Sequence, residues 1–218
     1  MKYDSGLAPN PYWGFCTLAL CTPNRQGVKL LPGDWIIGTQ SRVLGNKLVY
    51  AMKIAEEKLH FDRYFNDQRF QSKKPMLTGD WKCRCGDNIY FLGDDKNWQQ
   101  VPVLYHNTSE EIVGDTNNPY VYIACEYYYF GEDAVEIPPE LEELIRDRQG
   151  CKCDHDKRLM ANFIRWLQRD YEQGIHGLPR DRHLFVNPNE NSDKLVCADK
   201  GKSKQDHKAK RQRCRKGR

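Results

Sequence analysis

Hydrophobic and polar positions alternate with a period of two over several stretches of the chain, and these predict strands. In residues 34–40, opened by the Gly33-Asp34 pair, Trp35 and Ile37 share one face while Asp34 and Ile36 share the other. After a short LGN turn, residues 47–57 set Leu48, Tyr50, Met52 and Ile54 against Val49, Ala51 and Lys53, so the two stretches predict a hairpin. Residues 88–92 (NIYFL) predict a short strand, and residues 121–130 (VYIACEYYYF) the strongest one. There, Val121, Ile123, Cys125, Tyr127 and Tyr129 fall on one side and Tyr122, Ala124, Glu126 and Tyr128 on the other. Residues 58–81 mix aromatic and charged groups without a clear period and predict an irregular excursion with one short helix.

The period changes after Ile137-Pro138-Pro139. Proline suits a first helical turn, and Leu141, Leu144 and Ile145 then fall on one stripe. A longer helix is predicted over residues 157–173, with Leu159, Phe163, Trp166 and Leu167 as its buried stripe and Gly174 as its stop. Strands followed by helices give an α+β fold.

Charge alters this picture at one end. Residues 200–218 hold ten Lys or Arg and one Asp, a charge of +9. The net +4 less this +9 leaves −5 on the remainder. Without aromatic residues this tail is expected to stay disordered and to attract nucleic-acid phosphate through Lys208, Lys210, Arg211, Arg213, Arg215 and Lys216. The start of the chain lacks the apolar core of a signal peptide, which predicts a soluble cytoplasmic protein without membrane contact. Nine cysteines show no evident disulfide framework, in keeping with a reducing compartment. The pairs Cys83/Cys85 and Cys151/Cys153, with His155, are spaced too tightly for standard zinc ligation, so neither metal nor cofactor is expected.

Residues 3–25 (YDSGLAPNPYWGFCTLALCTPNR) are dense in recognition groups and lack a period. Gly6, Pro9, Pro11 and Gly14 would fix the turns of a shaped loop. If it binds a base, Trp13 and Trp35 would stack on its face, Asn10 and Thr17 would bond its edge, Asp4 would supply a carboxylate and Arg25 would take a phosphate. Asn10, Trp13 and Thr17 are expected to face one cavity shared with Trp35 and one side of the tyrosine-rich strand. An enzymatic reading has Cys16 or Cys21 as nucleophile, with His60, His106, His155, His176 or His183 as base. No P-loop, dinucleotide fingerprint or zinc-deaminase signature is present.

The order APNPYWGFCTLALCTPNR, PGDWIIG, LVYAMKI, FDRYFND, GDNIYF and YYYFG resembles the nucleotide modification associated domain 2 family over roughly residues 3–180. That resemblance implies work on modified nucleotides or nucleic acid in phage or bacterial settings. The Gly-Asp-initiated strand and its hairpin partner are more weakly similar to PUA-like barrels of the EVE and ASCH type, which implies a small mixed barrel with a pocket for a flipped or modified base. CKCDHD (151–156) and the basic tail depart from the family pattern, so no metal or tail role carries over.

The resulting expectation is a PUA-like barrel over residues 1–137, a helical appendage over 138–186, and a linker with a basic tail over 187–218. Its function would be to bind a modified nucleobase or nucleotide, in nucleic acid, through an aromatic and amide pocket. The alternatives are a base- or nucleotide-modifying enzyme using that pocket, or an accessory subunit that partners a modifying enzyme.

Overall fold

In the computed structural model, which describes residues 1, 3–20, 29–105, 108–145, 153 and 155–186, the longest alternating stretch becomes the hub of the fold. The eight strands are β1 (Cys16–Leu18), β2 (Trp35–Thr39), β3 (Leu48–Ile54), β4 (Leu59–His60), β5 (Tyr90–Leu92), β6 (Trp98–Gln100), β7 (Tyr120–Tyr129) and β8 (Gly174–Ile175). The α-helices are α1 (Phe61–Asn66), α2 (Trp81–Arg84), α3 (Ser109–Thr116) and α4 (Lys157–Asp170). The α+β class holds.

β7 pairs antiparallel with β1, β3 and β4 and parallel with β8, and β2 extends the sheet beyond β3. The predicted hairpin forms, with Trp35 opposite Lys53 and Ile37 opposite Ala51. The sheet order is β1-β7-β3-β2, and its two ends do not pair among the described residues, so the sheet is open where a closed barrel is expected. β1 takes the position beside β7, and this edge is where the N-terminal segment enters the fold.

Two register shifts explain why simple alternation misassigns the faces. Between Lys53 and Ile54 the partner on β7 jumps from Glu126 to Ala124, a bulge that leaves Cys125 over. Tyr127 and Tyr129 therefore pack with Tyr122 and Ala124, while Tyr128 packs against Leu48, Ala51 and the helical residues. A similar shift at Gly38/Thr39 moves Leu48 away from Tyr50 and Met52.

The helical stripe behaves as its spacing predicts: Phe163, Trp166 and Leu167 of α4 bury themselves against Phe130, Leu141 and Leu144. The helix ends at Asp170, before the predicted limit, because Tyr171 turns extended and Gly174 opens β8. Pro139–Leu144 is a 3-10 helix, and the excursion at 58–81 holds β4, α1, a 3-10 helix at Gln68–Lys73 and the first residue of α2. The basic tail lies outside the described residues.

Candidate functional site

The N-terminal segment is a tight hairpin laid along β7. Asn10 and Thr17 exchange backbone hydrogen bonds of 2.8 and 2.9 Å. Between them the chain reverses at Trp13 and Gly14, both at positive φ (59° and 84°). Glycine tolerates this conformation, whereas a bulky indole residue does not and stays there only when its surroundings hold it. Thr17, opposite Ile123, points to the face of β7 covered by α1 and the Gly86-Asp87-Asn88 segment.

A buried polar cluster anchors this hairpin. Lys73, 1% exposed, donates from Nζ to the Asn10 backbone oxygen at 3.0 Å and to its Oδ1 at 2.8 Å. Asn10 Nδ2 donates to the Cys85 carbonyl at 2.9 Å, and its Oδ1 also accepts from the Tyr12 amide at 3.3 Å. The Thr17 hydroxyl donates to one oxygen of Asp87 and the Tyr64 hydroxyl to the other, each at 2.7 Å. Asn88 Nδ2 ties the Tyr64 and Phe70 carbonyls together. Burial pushes the Asp87 carboxyl pKa up, against the lowering effect of Lys73 and the two hydroxyls. Gly86 lets this segment approach, since a Cβ there would stand 2.3 Å from the Lys73 carbonyl oxygen. Asn10 and Thr17 thus spend their side chains on holding the turn, where recognition of a base edge is expected of them.

Asp4 belongs to a second cluster. Its Oδ1 accepts from the Tyr129 hydroxyl at 2.7 Å, and its backbone is pinned by two bonds to Asp181: Asp4 N to Asp181 Oδ2 and Asp181 N to Asp4 O, both 2.7 Å. Asp4 is 3% exposed and Tyr12 6%. Neither Asp4 Oδ2 nor the Tyr12 hydroxyl has a hydrogen-bond partner in the protein. Burial raises the pKa of both groups, with the Asp4 charge adding to the effect on Tyr12. Gly6 lies between them, and a Cβ on it would meet Pro179 at 2.8 Å and the Tyr12 ring at 3.3 Å.

Trp13 stays half-buried. The Tyr12 ring meets both Trp13 and Trp81 edge-on, each at 5.7 Å between centroids. Lys73 Nζ stands 5.7 Å from the Trp13 centroid, and Lys82 Nζ stands 5.6 Å from Trp81 and 5.7 Å from Tyr12. With Lys73 spent on Asn10, Lys82 is the ammonium group beside these aromatic faces that suits a flat, electron-rich ring carrying phosphate.

The structure keeps Asn10, Trp13 and Thr17 on one hairpin, sets Asp4 in the neighbouring cluster with Tyr129, and places Trp35 elsewhere, stacked at 6.3 Å on Tyr128 beside the α4 cluster. The expectation of one cavity shared by Trp13 and Trp35 is corrected accordingly, since the strand pairs leave the N-terminal segment beside β7 and Trp35 at the outer strand. Arg25, Cys21, His106 and the tail residues Lys208, Lys210, Arg211, Arg213, Arg215 and Lys216 lie outside the described residues. Cys16 is fully buried against Met52, and burial pushes its thiol up to about 12, the wrong direction for a nucleophile. Cys83 and Cys125 are each disulfide-bonded, although the spacing of the cysteines suggests no framework. Pairing follows from which sulfurs the fold brings within reach, and spacing does not record that. Among the described residues no group of three or more His, Cys, Asp or Glu could hold a metal ion, and no helix is long and apolar enough to cross a membrane.

Sequence reasoning missed Lys73, Asp87, Tyr64, Tyr12, Trp81 and Tyr129 as parts of this site. The Gly-Asp pair at 86–87 gave no usable signal, since the same pair recurs at 33–34, 79–80, 93–94 and 114–115.

The family model described as nucleotide modification associated domain 2 matches residues 1–185, and the chain belongs to that family. No curated protein matches it. No solved structure matches it either.

Proposed function

We propose that this member of the nucleotide modification associated domain 2 family binds a modified nucleobase or nucleotide, carried in nucleic acid, with the base stacked on Trp13. The family's name associates it with nucleotide modification, and the reading here specifies the contact. The observation that carries it is the conformation of Trp13, a bulky residue at φ 59° that remains half-buried. Such a conformation costs on the order of 1–3 kcal/mol and persists where the surroundings over-determine it. Here the Lys73–Asn10 and Thr17–Asp87 bonds fix the turn and present the indole beside Tyr12, Trp81 and Lys82. The aromatic group around Trp13 supports this reading, and Asn10 and Thr17 act in it as supports of the turn. The PUA-like comparison contributes only the idea of a base-accepting pocket.

The experiment is binding and thermal melting of wild type and Trp13→Ala together, with deoxynucleoside monophosphates and a short single-stranded oligonucleotide as probes. Stacking is worth roughly 1–3 kcal/mol per base, so the variant should bind about tenfold to a hundredfold more weakly and melt near wild type. Unchanged binding in a stable variant, or a large loss of stability as for a core Trp, overturns the reading.

A second reading, a base- or nucleotide-modifying enzyme, has one observation in its favour. The Asp4 carboxyl is raised in pKa by burial and shares a 2.7 Å hydrogen bond with Tyr129, a pairing suited to proton exchange. A change in the mass of a nucleotide incubated with the protein, abolished in Asp4→Asn, would select this reading over simple binding.

A further inference from the structure

The two orphaned atoms beside the Trp13 turn, Asp4 Oδ2 and the Tyr12 hydroxyl, are both buried and both lack a partner in the protein. Groups in that position normally have one, because an unsatisfied buried polar atom is costly. Gly6, two residues after Asp4, packs against the Tyr12 ring, where a Cβ would stand 3.3 Å from it. The two orphaned groups differ in chemistry. The free oxygen of an ionised carboxylate only accepts, whereas a phenol can donate as well.

Resting on the base-binding reading above, we propose that Asp4 Oδ2 and the Tyr12 hydroxyl read the edge of the bound base and select one that presents an exocyclic amino group beside a ring-nitrogen acceptor. Asp4 Oδ2 accepts from the amino group and Tyr12 donates to the ring nitrogen, the pattern shown by adenine and cytosine. A carbonyl in place of the amino group sets its oxygen against the carboxylate, so the Asp4 contact is lost; the Tyr12 hydroxyl must then turn to accept from the protonated ring nitrogen, and the Asp4 contact carries most of the preference. Tyr129 keeps the other Asp4 oxygen occupied, which leaves a single acceptor aimed at the ligand. Gly6 packs against Pro179, and two hydrogen bonds of 2.7 Å tie Asp4 to Asp181, so reading of the base edge requires this contact to open.

The test uses pairs of mononucleotides that differ at this position: dAMP against dIMP, and dCMP against dUMP. The full chain should prefer the amino member of each pair by about tenfold to a hundredfold. Asp4→Asn, which turns the free acceptor into a donor, should abolish or reverse the preference, and Tyr12→Phe should reduce it. Trp13→Ala should weaken all four nucleotides alike. If all four bind and respond to Trp13→Ala without an amino preference, or if the preference survives in both Asp4→Asn and Tyr12→Phe, this inference is overturned and base binding stands. If none of the four binds, both fall.

Discussion

Asp4 keeps a carboxyl group where water does not reach it, and its protonation is therefore tied to folding. Burial raises its pKa above the ordinary 3.8, opposed by the Tyr129 hydroxyl and by Arg180. A carboxyl with a raised folded-state pKa holds its proton more readily in the folded protein than in the unfolded one. The stability this gives is complete below the unfolded value and is lost as pH rises through the folded value. Asn at this position keeps the bond from Tyr129 without ionising. Wild type should therefore lose stability relative to Asp4→Asn as pH is taken upward from about 3.8 to neutrality. Urea denaturation of both proteins across that range checks it; a gap that stays constant, or that closes with rising pH, would contradict the burial argument. The same logic makes Asn10 and Lys73 poor ligand groups, since each is already held by buried partners.

Among the elements, α4 shows sequence and structure in closest agreement. The Asp156 carboxylate accepts from the Arg158 and Leu159 amides at 2.8 and 3.0 Å, and Phe163, Trp166 and Leu167 face the core. Capping side chains satisfy amides that the helix itself leaves free. Asp156→Ala should cost about 1 kcal/mol, read as a lower denaturation midpoint with an unchanged dependence on denaturant. A variant as stable as wild type would mean that the cap is replaced by solvent. β7 shows the reverse. Its alternation is clear in the sequence, yet the bulge at Cys125 exchanges the faces of Tyr127, Tyr128 and Tyr129, and Tyr129 thereby reaches Asp4.

For the whole molecule, the separation of charge predicts a division of labour. The described chain ends at Val186, next to Phe185, whose carbonyl accepts from Arg84 of α2 at 3.0 Å. α2 also carries Trp81 and Lys82, so the described residues end near the aromatic group beside Trp13. Deleting residues 200–218 should preserve the fold while weakening sequence-independent nucleic-acid binding and flattening its salt dependence, because fewer counterions are released. Salt titrations of the full chain and the truncated chain decide it, and equal affinities with equal slopes would remove the tail from the binding surface.

What the sequence by itself determined is what local pattern encodes: the β2–β3 hairpin, the long strand at 120–129, the apolar stripe of α4, the basic tail and the unusual density of recognition groups at 3–25. Alternation and helical spacing are properties of neighbouring residues, so they survive without the fold. Only the tertiary structure decided which of those groups are spent on buried hydrogen bonds. Lys73 lies 63 residues beyond Asn10 and Asp87 70 beyond Thr17, with Tyr64 reaching Asp87 across 23, and nothing local marks them as partners. The bulges at Gly38/Thr39 and Lys53/Ile54 arise from matching strands of unequal length, a property of pairs of strands. Burial then sorted the groups: it consumed Asn10 and Thr17, silenced Cys16, removed Trp35 to the helical side, kept Trp13 half-buried, and left Asp4 Oδ2 and the Tyr12 hydroxyl without a hydrogen-bond partner.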